Sequence, residues 1–128
     1  MTGVSRAMFD FLRGDRAVAL RRTHATLPGD APADPVALAN VLRRELPSHD
    51  ARALAEQIEL ERRAWAKFED PRPLLFDRVG LEQASSRAAA AIPASLFPAG
   101  GDILDLGCGI GADAIAFGRR GLRVIAVE

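Results

Sequence analysis

Residues 102–128 constrain the fold of this chain more than any other stretch. Residues 102–106 are typical of a buried strand and run directly into the glycine-rich sequence Gly-Cys-Gly-Ile-Gly of residues 107–111. Residues 112–117 have a helical pattern in which Ile115 faces the sheet, and residues 122–127 are typical of a second strand that ends at Glu128. This order of elements predicts one βαβ unit with parallel strands and a right-handed crossover.

The glycines of the loop indicate a ligand site. Gly107, Gly109 and Gly111 allow a tight turn and let a ligand approach the backbone in front of the helix amino terminus. Glu128 lies about 20 residues beyond the start of the loop, where an acidic side chain can accept hydrogen bonds from ribose hydroxyls. The unit therefore predicts a site for a nucleoside cofactor.

Two classes of cofactor fit the glycine pattern. Gly107, Gly109 and Ala112 satisfy the relaxed G-x-G-x-x-A pattern, so an NAD(P)- or FAD-dependent oxidoreductase is one alternative. Asp105 argues against it, because a carboxylate just before the loop would repel a pyrophosphate but attract the ammonium of an amino-acid group. S-adenosylmethionine has that ammonium, a sulfonium and no phosphate. A P-loop is excluded because no Gly-Lys-Ser/Thr follows the glycines.

Composition excludes several other classes. The 17 basic and 17 acidic residues balance, which argues against a basic nucleic-acid arm, and six Phe, one Trp and no Tyr argue against an aromatic base-stacking platform. The single cysteine, Cys108, excludes a disulfide framework and a cysteine zinc site, and no metal site is expected. No apolar run approaches the roughly 18 residues of a membrane span, so we expect a cytoplasmic protein.

Residues 1–69 are expected to form an amino-terminal helical region. Ser5 can cap a first helix, a second runs over about residues 15–26, and residues 27–33 form a connector. Asp34 and Pro35 are typical of an N-cap and the first position of a third helix, which Pro47 stops. Ser48 or Asp50 can cap the longest helix. The apolar residues expected to face the core of this region are Phe9, Leu12, Leu38, Val41, Leu42, Leu46, Leu54, Ile58, Trp65 and Phe68.

Residues 70–128 are expected to begin an incomplete α/β core. Residues 69–80 are interpreted as a loop that ends in a turn, and residues 81–92 as an alanine-rich helix that Pro93 ends or kinks. Residues 98–101 break the chain before the first strand. The predicted fold is therefore α/β, with a helical region followed by the start of a Rossmann-like sheet.

Residues 105–111 resemble the first motif of class I S-adenosylmethionine-dependent methyltransferases, and Glu128 falls where that superfamily has its ribose-binding acid. Residues 67–68, 74–78 and 80–85 resemble a segment of a bacterial subgroup that has a THUMP-like domain near its carboxyl terminus and is similar to trimethylguanosine synthase-like methyltransferases. The resemblance covers about residues 50–128. It implies methyl transfer from S-adenosylmethionine, with an RNA base as the acceptor.

The resemblance also implies the roles of individual residues. The methionine end of the cofactor would lie against Asp105 and a loop of Gly107, Cys108, Gly109 and Gly111, in which Cys108 is a small filler and not a nucleophile. Glu128 would bind the ribose, and residues 80–85 would close over the cofactor, with Gln83 and Ser85 as polar contacts. The resemblance assigns no catalytic residue within the chain.

A class I core needs about seven strands, and the sequence has two. We therefore expect that the chain is truncated after the second core strand and that it is inactive as an enzyme on its own. A non-catalytic cofactor-binding module is a further alternative.

Overall fold

The computed structural model describes residues 5–25 and 34–128. These ranges contain helices together with a small parallel sheet, so the architecture is mixed α/β. The elements are α1 (Arg6–Arg13), α2 (Asp15–Thr23), α3 (Pro35–Leu42), α4 (Ser48–Ala64), α5 (Arg78–Gln83), α6 (Arg87–Ser95), β1 (Asp102–Leu106), α7 (Ala112–Arg119) and β2 (Arg123–Val127).

The chain divides into two compact units. The first, here called the helical unit, contains the described residues of Met1–Arg63 together with Arg72–Asp77. The second, the sheet unit, contains Ala64–Pro71 and Arg78–Glu128. None of the helices in the described ranges is both long and apolar enough to cross a membrane.

The helical unit is built around one apolar core. Its buried members are Leu12, Ala17, Leu20, Ala39, Leu42, Leu46, Ala51, Leu54, Ala55 and Ile58. The starts of α1 and α3 follow the expected chemistry, since the Ser5 side chain accepts from the N–H of Met8 and the Asp34 side chain accepts from that of Val36.

Buried polar side chains fix residues 72–77 in the helical unit. The guanidinium of Arg21 donates to the carbonyls of Arg72 and Leu74 and lies 3.2 Å from a carboxylate oxygen of Glu61. The amide of Gln57 donates to the carbonyl of Phe76 and accepts the N–H of the same residue. The apolar stretch 74–76 therefore needs no strand partner, because side chains satisfy its backbone.

Three details of the helical unit differ from the sequence expectation. Phe9 is 41% exposed, and its ring lies 5.3 Å below the guanidinium carbon of Arg13, a cation–π contact at the surface. Helix α3 buries Ala39 and Leu42. Successive residues of a helix point about 100° apart, so Val41 points away from the side of Leu42 and is exposed. The predicted connector 27–33 and residue 26 lie outside the described residues, and α2 ends at Thr23.

The ends of α4 also differ. The helix begins at Ser48, so neither Ser48 nor Asp50 lies in the N-cap position, and Asp50 instead occupies the first turn. It ends at Ala64, and the chain turns there because the N–H groups of Lys67 and Phe68 both donate to the Ala64 carbonyl. Phe68 is buried, but in the sheet unit and not in the core of the helical unit where it was expected. Trp65 is only partly buried, and both residues follow the helix.

In the sheet unit, β1 and β2 pair in parallel, with Ile103 opposite Val124 and Leu106 opposite Val127. Helix α7 connects them and packs on one face, where Phe117, Leu122 and Ala94 are buried. The other face is open. The first strand was expected to be buried, but Leu104 and Leu106, on the face away from α7, are 57% and 72% exposed. Ile115 was expected to face the sheet. The structure instead buries Phe117 on that side of α7, and Ile115 lines a cavity beside α6.

Two helices replace the single helix expected over residues 81–92. Residues 78–83 form α5, so the expected turn at 77–80 is wrong at three of its four residues. The chain breaks at residues 84–86, and Ser86 caps α6 by accepting from the N–H of Ala89. Pro93 does not end α6, because it lies in the last turn, where its carbonyl accepts from the N–H of Leu96.

Candidate cofactor site

The glycine loop continues the backbone pairing of the sheet and then turns away from it. The N–H groups of Gly107 and Cys108 both donate to the carbonyl of Val127, at 2.7 and 3.2 Å. The turn closes with the N–H of Gly111 donating to the Cys108 carbonyl at 2.9 Å. The loop is therefore fixed at its start by β2 and at its end by its own backbone.

All three loop glycines need the freedom that only glycine has. The φ angles of Gly107, Gly109 and Gly111 are +75°, +54° and +83°, in the left-handed region that L side chains rarely adopt. A Cβ atom built at any of the three would meet no atom within 4 Å. The glycines thus give the loop its shape and leave its outer surface clear for a ligand to approach the backbone.

Glu128 lies against the middle of this loop. Its Oε2 atom accepts the backbone N–H of Gly109 at 2.7 Å, which brings the acid at the end of β2 next to the glycines that follow β1. A carboxylate has two oxygens with about four lone-pair positions, so this bond leaves capacity for further donors such as vicinal hydroxyls.

Asp105 is the second carboxylate of the site. It alternates with Leu104 and Leu106 and so shares the strand face of Ile103, which packs against the core under α7. Its Oδ2 atom is buried and has no hydrogen-bond partner within the described chain. Burying an unpartnered carboxylate oxygen is costly, so this atom retains the capacity to accept a hydrogen bond from a donor outside the described residues.

The start of α7 brings in a residue from a distant part of the chain. Gly111 is the N-cap and supplies no side-chain cap, and Asp113 lies in the first turn, where a negative charge is favourable. The hydroxyl of Ser85 donates to Oδ2 of Asp113 at 3.1 Å. The structure therefore brings Ser85 to the helix that follows the glycine loop, where it is bonded to Asp113; its predicted contact with a cofactor stays a prediction.

Gln83, the other polar residue expected here, is exposed at the end of α5 and makes no side-chain hydrogen bond within the described chain. Cys108 is partly buried, and its thiol lies 3.7 Å from the carbonyl of Gly109, which is consistent with a small loop filler. A cavity of about 210 Å³ in this unit is lined mainly by residues of α6 and α7, and of the predicted site residues it includes Ser85 alone.

Sequence reasoning gave Lys67 no role of its own, although residues 67–68 belong to the segment that resembles the methyltransferase subgroup. Its ammonium donates to the carbonyls of Leu81, Glu82 and Ala84, at 2.7, 2.8 and 2.7 Å, and so binds the segment that carries Ser85. One signal was present in the sequence, because Lys67 is the only lysine in a chain whose other basic residues are all arginine. The hydrophobic periodicity of the sequence cannot detect such a contact, because the contact joins the turn after α4 to the end of α5, 14 to 17 residues away.

Comparison of the chain with protein-family models, with curated proteins and with solved structures finds no match. The described ranges contain no group of three or more His, Cys, Asp or Glu side chains placed to hold a metal ion. What the site can bind must therefore be argued from its own geometry. That geometry offers a buried acceptor, an exposed carboxylate beside a glycine loop, and a helix start without a side-chain cap.

Proposed function

We propose that this chain forms the cofactor-binding part of an S-adenosylmethionine-dependent methyltransferase with a Rossmann-like sheet. The observation that carries the proposal is the buried, unpartnered Oδ2 atom of Asp105 directly before the glycine loop. An ammonium group of the ligand would supply the missing donor and form a charge-assisted hydrogen bond. A phosphate would bring a like charge to a buried carboxylate, which disfavours NAD and FAD.

The other residues fit the remaining parts of the same ligand. Glu128 has acceptor capacity for the two ribose hydroxyls while it still binds the Gly109 N–H. The positive φ angles of the loop keep side chains away from the methionine end. The uncapped start of α7 can take the ligand's carboxylate, since backbone N–H groups there favour an anion.

The cofactor supplies a methyl group already activated by its sulfonium. The contribution of these residues is to hold the ligand by its ammonium, carboxylate and ribose, so that the methyl group has one fixed direction for in-line attack by an acceptor. The family resemblance extends the proposal to an RNA base as that acceptor.

Calorimetric titration with three ligands tests the proposal on the full-length gene product. S-adenosylhomocysteine should bind, 5′-methylthioadenosine should bind more weakly because it lacks the amino-acid group, and NADH should not bind. Binding of NADH without S-adenosylhomocysteine would instead support the oxidoreductase alternative. No binding of either ligand would contradict both the proposal and the oxidoreductase alternative.

A further inference from the structure

All three N–H donors of the Lys67 ammonium have acceptors within the sheet unit. An ammonium has three N–H donors, and each of the three has a carbonyl acceptor in Leu81, Glu82 and Ala84 at 2.7–2.8 Å. The side chain is partly buried. Lys67 therefore acts as a fixed, charged cap and not as a solvated surface group.

The three carbonyls belong to the end of α5. The last carbonyls of a helix have no partner inside the helix, and a cation is favourable at that end. Helix α5 has six residues, and isolated helices of this length are marginal in water. The ammonium thus supplies interactions that so short a helix cannot supply for itself.

The capped segment leads directly to the candidate site. One residue beyond the Ala84 carbonyl, the hydroxyl of Ser85 donates to Asp113 in the first turn of α7. Asp113 follows Gly111, the last glycine of the loop, by two positions. A continuous chain of contacts therefore runs from Lys67 through the end of α5 and Ser85 to α7, the helix that follows the glycine loop.

We infer that Lys67 is a positioning residue for cofactor binding. It holds residues 81–85 in the conformation in which Ser85 bonds Asp113, and it does not itself touch the ligand. This inference rests on the proposed function, because the ligand is the cofactor proposed above. Without the ammonium, the segment must become ordered when the ligand binds, and the cost of that ordering lowers the affinity.

A double-mutant cycle on S-adenosylhomocysteine affinity tests the inference in the full-length gene product. Lys67→Met removes the charge and keeps the length of the side chain, and we expect it to weaken binding roughly tenfold, the scale of one lost interaction with a charged group. Ser85→Ala should also weaken binding. The double variant should be no weaker than the poorer single variant, because both act through the same contact. Arg120→Gln, an exposed cation of the same unit, is the matched control and should leave the affinity unchanged.

A second measurement uses Lys67→Arg, which keeps the charge but spreads its donors in a planar fork that cannot match three converging carbonyls. Amides of residues 81–86 should exchange about tenfold faster with solvent in this variant, while those of β1 keep their rates. S-adenosylhomocysteine should reduce the difference. If Lys67→Met does not fold, the S-adenosylhomocysteine affinity and the amide exchange rates of Lys67→Arg decide whether Lys67 positions residues 81–85.

Two outcomes overturn the inference, and they differ from a failure of the proposed function. If the unaltered protein binds S-adenosylhomocysteine and Lys67→Met binds it equally well, Lys67 has no positioning role. If the effects of Lys67→Met and Ser85→Ala on affinity are fully additive, Lys67 does not act through its hold on Ser85, and the positioning route is wrong. If the unaltered protein does not bind the ligand, the proposed function is overturned, and the inference with it.

Discussion

The backbone N–H of Gly109 donates to the Glu128 carboxylate at 2.7 Å, and this bond joins the loop after β1 to the end of β2. Parallel pairing of the strands puts both carboxyl ends at the same edge, with Leu106 opposite Val127. Residues 19 positions apart in sequence therefore meet in space. Glu128 has two roles as a result: it fixes the loop, and it remains an acceptor for a ligand.

Glu128→Gln should separate these two roles. The amide oxygen can still accept the Gly109 N–H, so the free energy of unfolding should change by less than about 0.5 kcal/mol. The negative charge is lost, so binding of S-adenosylhomocysteine should weaken by about 1 kcal/mol, the difference between charged and neutral acceptors. Titration calorimetry and urea unfolding measure the two quantities, with Glu45→Gln as the control. Equal affinity for the Gln variant would show that Glu128 does not bind the ribose.

Asp105→Ala should affect binding and stability in opposite directions. It should weaken S-adenosylhomocysteine binding by about 1.5–3 kcal/mol, the value of a hydrogen bond between charged groups. The ligand-free protein should become more stable by about 1 kcal/mol, because a buried oxygen without a partner is removed. Methylthioadenosine, which has no ammonium, should bind the variant and the unaltered protein alike.

Asp102→Ala is the matched control for this experiment. Asp102 lies on the same strand, but its carboxylate is exposed and pairs with Arg123 at 2.5 Å. Its removal should leave both ligand affinities unchanged and lower stability by at most about 1 kcal/mol. A loss of S-adenosylhomocysteine affinity in both variants would mean that a change in the strand, and not the buried carboxylate, explains the effect.

The sequence predicts the βαβ unit well, because each signal there is local. The glycines that require positive φ, the alternating strands and the acid at the strand end are all visible in the order of residues. The caps at Ser5 and Asp34 are confirmed for the same reason, since a capping side chain bonds a backbone group two or three positions away.

The contacts that the sequence does not predict are those between distant segments. The interactions of Lys67 with α5, of Ser85 with Asp113, and of Gln57 with Phe76 all depend on how elements pack. Burial of the first strand was overestimated for a related reason. Aliphatic residues on both faces are typical of a covered parallel sheet, but among the described residues the face of Leu106 has no covering layer.

Two glycines of the same helix should respond in opposite directions to alanine. Gly111 has a φ of +83°, so Gly111→Ala should destabilise the protein by about 1–2 kcal/mol. Gly118 lies inside α7 with an ordinary φ, and a Cβ there meets no atom within 4 Å, so Gly118→Ala should stabilise the protein by about 0.5–1 kcal/mol. Urea unfolding measures both changes. Stabilisation by Gly111→Ala would show that the loop does not have the left-handed conformation.

Arg21 should be the most sensitive charged residue of the helical unit. Its buried guanidinium donates to the Arg72 and Leu74 carbonyls and lies beside the Glu61 carboxylate, so Arg21→Met removes a buried cation from all of these contacts. We expect a loss of about 3–5 kcal/mol in the free energy of unfolding, measured with urea. The neighbouring Arg22 is exposed, and Arg22→Met should change stability by less than about 0.5 kcal/mol.

Combining Arg21→Met with Glu61→Gln identifies the source of that loss. If loss of the Arg21–Glu61 ion pair is the main cost, neutralising Glu61 should recover about half of the stability lost in Arg21→Met. The double variant would then be more stable than Arg21→Met alone. A double variant that is less stable than Arg21→Met would instead assign the loss to the carbonyl contacts with residues 72–77, which no change at position 61 can restore.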